Sequence, residues 1–257
     1  MRKIAIIICQ FSILFTTIFL WEVLARVGVI DSFIMSQPSR ILRTILNFQN
    51  NNLLMHIGVT TFETMLGFIT GVAIGLFVAL VLWWSDFLAK VADPYLVVIN
   101  ALPKIALGPV IIIWVGAGKQ AVIVMALAIS LVVTIMEMLN GFKNTEPEFI
   151  KMAQTFGANR FQIFTKIVFP YNLTTLFSCL KINIGLTLVG VIAGEFLVSR
   201  AGLGYLIIYG GQVFQMDLVM TSVIILAVLA ALLYGFIALM EKIVMRWLAN
   251  GKRKGLP

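Results

Sequence analysis

Residues 57–84 read IGVTTFETMLGFITGVAIGLFVALVLWW, and Glu63 is the only formal charge in the run. A helix needs about 20 mostly apolar residues to cross the hydrocarbon core of a bilayer. This stretch exceeds that length and so can tilt or extend past the membrane. The same pattern recurs along the chain. Apolar stretches at 4–25, 95–115, 120–139, 174–197 and 218–244 join it to give six candidate spans. The third is interrupted by Pro103 and Pro109 and preceded by Pro94. Ten-residue alternating strands are absent, which excludes a transmembrane β-barrel.

Composition supports the same reading. Of 257 residues, 61% are hydrophobic and 12% charged, with a mean hydropathy of +1.04. Soluble domains carry about a quarter charged residues, so the polar side chains here are too few to cover a water-facing surface. The fold class expected is all-α: a polytopic membrane protein of about six transmembrane helices, forming one transmembrane domain over residues 1–257. Its core is expected at 57–245, with an N-terminal span at 4–25.

The formal charge is +8. No basic stripe with interleaved aromatics lies on a polar background, so nucleic acid is not an expected partner. Lys and Arg collect instead in cytoplasmic loops of membrane proteins. With the N-terminus inside, twelve of the nineteen basic residues fall in cytoplasmic segments and five in outer ones; Lys104 and Lys181 stay unassigned. The expectation is a cell-membrane protein with both termini cytoplasmic. Met1-Arg2-Lys3 opens a signal-like run that lacks a small-x-small cleavage site, and we read it as an uncleaved span. Cys9 and Cys179 both lie in apolar runs, and His56 is the only histidine. Neither a disulfide framework nor a metal site is expected; His56 reads as an interfacial residue.

The longest polar interruption on the cytoplasmic side is 140–170. Thr145-Glu146-Pro147-Glu148 reads as a capping box with proline in the first turn. Phe149, Met152, Ala153 and Phe156 then recur at i, i+3, i+4 and i+7, one helical face. Gly157 stands where a C-terminal cap belongs. Asn159-Arg160-Phe161-Gln162 opens a second helix that Pro170 is expected to close. This amphipathic segment either lies on lipid headgroups or offers its apolar face to a partner's groove.

Lys151-Met152-Ala153-Gln154-Thr155-Phe156-Gly157, nine residues, then Ile167-Val168-Phe169-Pro170 resembles the cytoplasmic signature of binding-protein-dependent ABC importer permeases. That pattern is Glu-Ala-Ala, three residues, Gly, nine residues, Ile-x-Leu-Pro. Ala153, Gly157, Ile167 and Pro170 match it; Lys151 reverses the charge of the family Glu. Ala101–Pro109, Trp114-Val115-Gly116-x-Gly118, Gln37-Pro38-Ser39, Gly194-Glu195-Phe196 and Gly202-Leu203-Gly204-Tyr205 are similar to the nitrate/sulfonate/taurine branch.

The resemblance implies a homodimeric permease and a cytoplasmic coupling helix, over 145–170, held by a separate ATPase. An external solute-binding protein would deliver a small solute such as nitrate, a sulfonate or taurine. Vitamin or pyrimidine precursors are the alternative substrates. Phe149, Met152, Ala153, Phe156, Gly157, Ile167 and Pro170 form the expected coupling set. No Gly-x-x-x-x-Gly-Lys-Ser/Thr loop is present, so ATP is expected on the partner, and this chain is expected to be neither an enzyme nor a cofactor carrier. A gradient-driven transporter or channel is the rival, but it would need an intramembrane charge path that is not evident.

Ionisable groups at membrane depth are functional candidates. Glu63 and Glu195, with the glycine-rich segment from Gly202 and Gly204 onward, are the gate or path candidates. Lys181 is expected to snorkel or to pair with a carboxylate, and Glu137 to sit at a helix end. Gly67, Gly71 and Gly75, and Gly190 and Gly194, are spaced for close helix packing inside the subunit. Trp21, Trp83, Trp84, Trp114 and Trp247 read as interface anchors.

Overall fold

The computed structural model describes residues 2–47 and 52–254. Side chains are described for these except residues 2–4, 7 and 250–254, so Arg2, Lys3, Lys252, Arg253 and Lys254 of the charge tally lie outside the described side chains. Every regular element among the described residues is helical: α1 Arg2–Arg26, α2 Ser32–Met35, α3 Pro38–Leu46, α4 Leu53–Trp84, α5 Asp86–Ala101, α6 Gly108–Val115, α7 Lys119–Lys143, α8 Pro147–Thr155, α9 Arg160–Ile163, α10 Phe169–Tyr171, α11 Leu173–Val198, α12 Leu203–Gln212 and α13 Met216–Lys254.

Five helices are long and apolar enough to span a membrane: α4, α7, α11 and the greater part of α1 and α13. The third expected span is not one straight helix. α5 and the segment Lys104–Val115 meet at a bend of 86°. Pro103 explains the break: it has no N–H to donate, and it drives Leu102 out of the helical region to ψ 139. Pro94 is accommodated inside α5.

The chain divides into two compact units, one of residues 1–60 with 200–227, the other of residues 61–199 with 228–257. In the first, α1 turns back onto α3. Pro38 occupies the first turn of α3, and the Ser39 N–H donates to Glu22 Oε2 at 3.0 Å. The carboxylate sits where the helix dipole is positive, and its other oxygen takes Arg26 Nε at 2.7 Å. The glycine-rich segment folds as the helix α12, which buries Gly204 and Gly210. His56, at the start of α4, packs inside the chain. It is 6% exposed; its Nδ1 accepts the Gly202 N–H at 2.9 Å, and its ring stacks on Tyr205. Thr60 Oγ1 accepts the Leu203 N–H at 2.8 Å. Two side chains of α4 thus supply the acceptors that the first turn of α12 lacks.

An orphaned buried N–H costs about 1–3 kcal/mol. His56→Ala and Thr60→Val should therefore raise amide exchange at Gly202 and Leu203 roughly tenfold by hydrogen-exchange mass spectrometry. Unchanged exchange in both variants would show that the caps contribute nothing.

The second unit is organised on α7 and α11, its most extensively packed pair. A Cβ on Gly190 would lie 2.6 Å from Ala126 Cα, and one on Gly194 2.8 Å from Val122 Cα. The glycines let the two backbones touch. α4 packs on the same helix, with Gly67 facing Ala126, Gly71 facing Ser130 and Gly75 facing Thr134. The Ser130 and Thr134 hydroxyls donate to carbonyls one turn back, Ala126 and Ser130, so neither is stranded in the seam. Both glycine series pack inside the chain, as their spacing predicts. Lys181 pairs with Glu241 across 2.9 Å, and Glu137 is exposed near the end of α7.

Candidate functional site

The polar insert folds as a compact unit of short helices seated on span ends. α8 begins at Pro147, but not through the expected box. The N-cap is Glu146, whose side chain makes no capping bond. Thr145 is 2% exposed, and its hydroxyl accepts from Asn172 Nδ2 at 2.9 Å. The same amide nitrogen donates to the Val168 carbonyl at 2.9 Å. Asn172 therefore ties the two ends of the insert together, and the hydroxyl is unavailable to cap α8.

The other end of α8 agrees with expectation. Gly157 has φ +76. The Ala158 N–H reaches the Ala153 carbonyl at 3.0 Å, and the Gly157 N–H reaches Gln154 O at 2.9 Å. These are the two bonds of a Schellman cap, whose left-handed residue favours glycine. Asn159 opens α9 with a full capping box: its Oδ1 accepts the Gln162 N–H at 2.8 Å, and Gln162 Oε1 accepts the Asn159 N–H at 2.9 Å. Pro170 does not close the second helix. A widened π turn at Phe164–Val168 leads into α10, where Pro170 sits at the start and needs no donor.

Two faces of α8 separate on burial. Ala153 is 9% exposed and joins Phe142, Met138, Leu139, Ile163 and Val168 in one cluster, with Ile150 and Ile167 against it. The expected single apolar face is therefore split: Ala153 looks inward, while Phe149, Met152 and Phe156 look out, at 41%, 52% and 84% exposed. Ile167 is a packing residue, and Pro170 is exposed. The insert is further tied to the spans by Arg160, whose Nη1 donates to the Trp84 carbonyl at 2.5 Å, the last residue of α4. Trp83 packs on Phe164 with ring centroids 5.1 Å apart. Trp83 is thus part of this attachment, whereas Trp114 and Trp247 are largely exposed. Sequence reasoning passed over Arg160 and Asn172, because their partners lie 76 and 27 residues away.

Of the gate candidates, Glu63 on α4 and Glu195 on α11 are each 1% exposed. Both Glu63 oxygens lack a hydrogen-bond partner among the described residues. Gly202 is the N-cap of α12 with φ +113, and Gly204 is buried in its first turn. The four fall into the two separate units. No group of three or more metal-ligating side chains occurs among the described residues.

Apolar spans long enough to cross a membrane, with a polar insert that exposes one apolar helix face, are the parts of a polytopic membrane protein. The chain belongs to the binding-protein-dependent transport system inner membrane components, a family it matches over residues 71–250. It is 23% identical to the putative aliphatic sulfonates transport permease SsuC of Bacillus subtilis, over 89% of this chain and 83% of that one. It is equally 23% identical to the formylaminopyrimidine transport permease ThiX of Halalkalibacterium halodurans, over 89% and 91%. Its fold is similar to that in the crystal structure of a bacterial ABC transporter involved in alginate import, with a TM-score of 0.67 and 16% identity over 94% of this chain and 97% of that one. It is a permease subunit of an ABC importer, not the ATPase.

Proposed function

We propose that two copies of this chain line the path for a small anionic solute, that a separate ATPase grips α8 from the cytoplasm, and that an external binding protein delivers the solute. The observation that carries this reading is α8 itself. It exposes Phe149, Met152 and Phe156 to solvent, while its other face and its flanks are fastened to α4, α7 and the insert's return helix. Apolar anchors at helical spacing on a rigid mount suit a partner groove. A displacement of α8 would then be transmitted to the spans rather than absorbed. Both termini lie in the cytoplasm on this reading, which follows the distribution of Lys and Arg.

An anionic solute is suggested by the branch resemblance and by the sulfonate permease among the relatives. The pyrimidine-precursor permease is equally similar, which fits a solute choice made largely outside this chain, by the binding protein. The test is uptake into proteoliposomes holding the permease, its ATPase and its binding protein. Taurine or an alkanesulfonate should enter only with ATP inside and the binding protein outside. Uptake that follows an ion gradient without ATP would overturn the reading in favour of a secondary transporter. ATP-driven uptake of a formylaminopyrimidine alone would overturn the anion assignment.

A further inference from the structure

A cleft of about 570 Å³ lies in the first unit, and no residue of the coupling segment lines it. It is lined by Phe33, Arg40, Arg43, Asn47, Gln215 and Asp217, among others. Its residues come from α2, from α3 and its C-terminal cap, and from the turn into α13 with that helix's first residues.

The charges in this cleft do not cancel. Asp217 uses both carboxylate oxygens: Oδ1 accepts the Ser36 hydroxyl at 2.6 Å, and Oδ2 faces Arg40 Nε at 3.1 Å. Arg40 Nη1 also donates to the Ser32 carbonyl at 3.3 Å. Arg40 and Asp217 thus neutralise one another. Arg43, on the same helix, has no ion pair or side-chain hydrogen bond among the described residues. It leaves one uncompensated guanidinium on the wall, beside the amide side chains of Asn47 and Gln215. The backbone here is held in an unusual form. Ser36, which ties down Asp217, has φ +56, and Phe214, on the wall, has φ +59. A bulky residue in the left-handed region costs energy and persists where surrounding structure enforces it, commonly at binding sites. The Phe214 ring stacks on Phe33 at 6.5 Å.

We propose that this cleft is a binding site for a singly charged tetrahedral oxyanion, a phosphate or sulfonate group. Arg43 is its charge partner, and the Asn47 and Gln215 amides are neutral donors. A guanidinium offers two parallel N–H groups at the spacing of such an anion's oxygens. The group can come from the headgroup of an anionic phospholipid or from a free small anion. Leu42 and Leu46 of α3, with Ile34 and Met35 of α2, are exposed on the helices that line the cleft and would meet acyl chains in the first case. The inference is independent of the coupling reading.

The experiment uses the purified full chain and two probes. Native mass spectrometry measures phosphatidylglycerol retained against phosphatidylcholine, and equilibrium dialysis measures binding of radiolabelled phosphate and methanesulfonate. Arg43→Gln should weaken whichever probe binds about tenfold, and Arg43→Lys should weaken it less. Arg246→Gln, which alters an exposed arginine outside the cleft, should leave binding unchanged. Because Arg43 is exposed, the variants should stay folded; monodispersity on gel filtration verifies this, and Gln215→Leu provides a second, uncharged test of the same wall. Selective retention of phosphatidylglycerol that Arg43→Gln abolishes supports a headgroup site. Saturable binding of the free anions with the same dependence supports a solute site. Binding of neither probe, or binding that Arg43→Gln and Gln215→Leu leave intact, overturns the proposal.

Discussion

Gly190→Ala is expected to lower the melting temperature of the purified permease by several degrees, whereas Gly185→Ala, on the same helix, should leave it unchanged or raise it. The two glycines differ only in what surrounds them. A methyl group on Gly190 would sit 2.6 Å from Ala126 Cα and 3.1 Å from the Met125 carbonyl oxygen, backbone atoms that cannot rotate away. α7 and α11 would have to separate along their main packing seam. Overpacking of this kind costs about 1–3 kcal/mol, a large fraction of ordinary domain stability. At Gly185 a Cβ meets nothing within 4 Å. There the alanine only removes the conformational freedom of glycine, a gain of up to about 1 kcal/mol in a helix. Differential scanning fluorimetry in detergent measures both. Equal melting temperatures would mean that α7 and α11 are not in backbone contact.

Much of this architecture is legible in the chain because lipid simplifies the reading. A span such as 57–84 must be mostly apolar along its length, and its glycines at 67, 71 and 75 announce close packing by spacing alone. Local caps are legible for the same reason. The Asn159–Gln162 box closes on itself within four residues. What the residues do not announce are choices settled at long range. Thr145 has the sequence of a cap, yet Asn172 takes its hydroxyl. Phe149, Met152, Ala153 and Phe156 share a period, but the small Ala153 is drawn inward under Phe142 and Ile163, leaving the larger three outside. α3 and α12 escape a hydropathy reading, one because two arginines interrupt it and the other because glycines punctuate it. In α12, His56 and Thr60 provide the caps that its own sequence lacks. Of the gate candidates, burial of Glu63 and Glu195 is visible only in three dimensions, since each stands in an apolar run that could equally face lipid.

Gly157→Val should reduce coupling strongly while leaving the membrane domain intact. Gly157 holds φ +76, and nothing lies within 4 Å of where its Cβ would be. A substitution therefore meets no clash and acts only through the backbone. Placing an L-residue in the left-handed region costs about 1–2 kcal/mol, more for a β-branched one. That shifts the population of the capped α8 end by roughly five- to thirty-fold. ATP-driven uptake and the amount of co-purifying ATPase should fall by a similar factor. The melting temperature should not move, because the strain is confined to an exposed turn. Gly157→Asn, whose side chain tolerates this conformation, should retain most of the uptake. Loss of uptake in both variants to the same extent, with a lowered melting temperature, would instead indicate that the turn is a folding element.

The outward face of α8 as the ATPase's handle can be examined most directly by photo-cross-linking from position 156, against position 232 on α13, which is 66% exposed. With a photoreactive amino acid at 156, irradiation of intact membranes should yield an adduct with a nucleotide-binding polypeptide, and none should form from 232. Adducts at 156 with lipid alone, or reactivity of position 156 toward a membrane-impermeant reagent added outside the cell, would contradict the account.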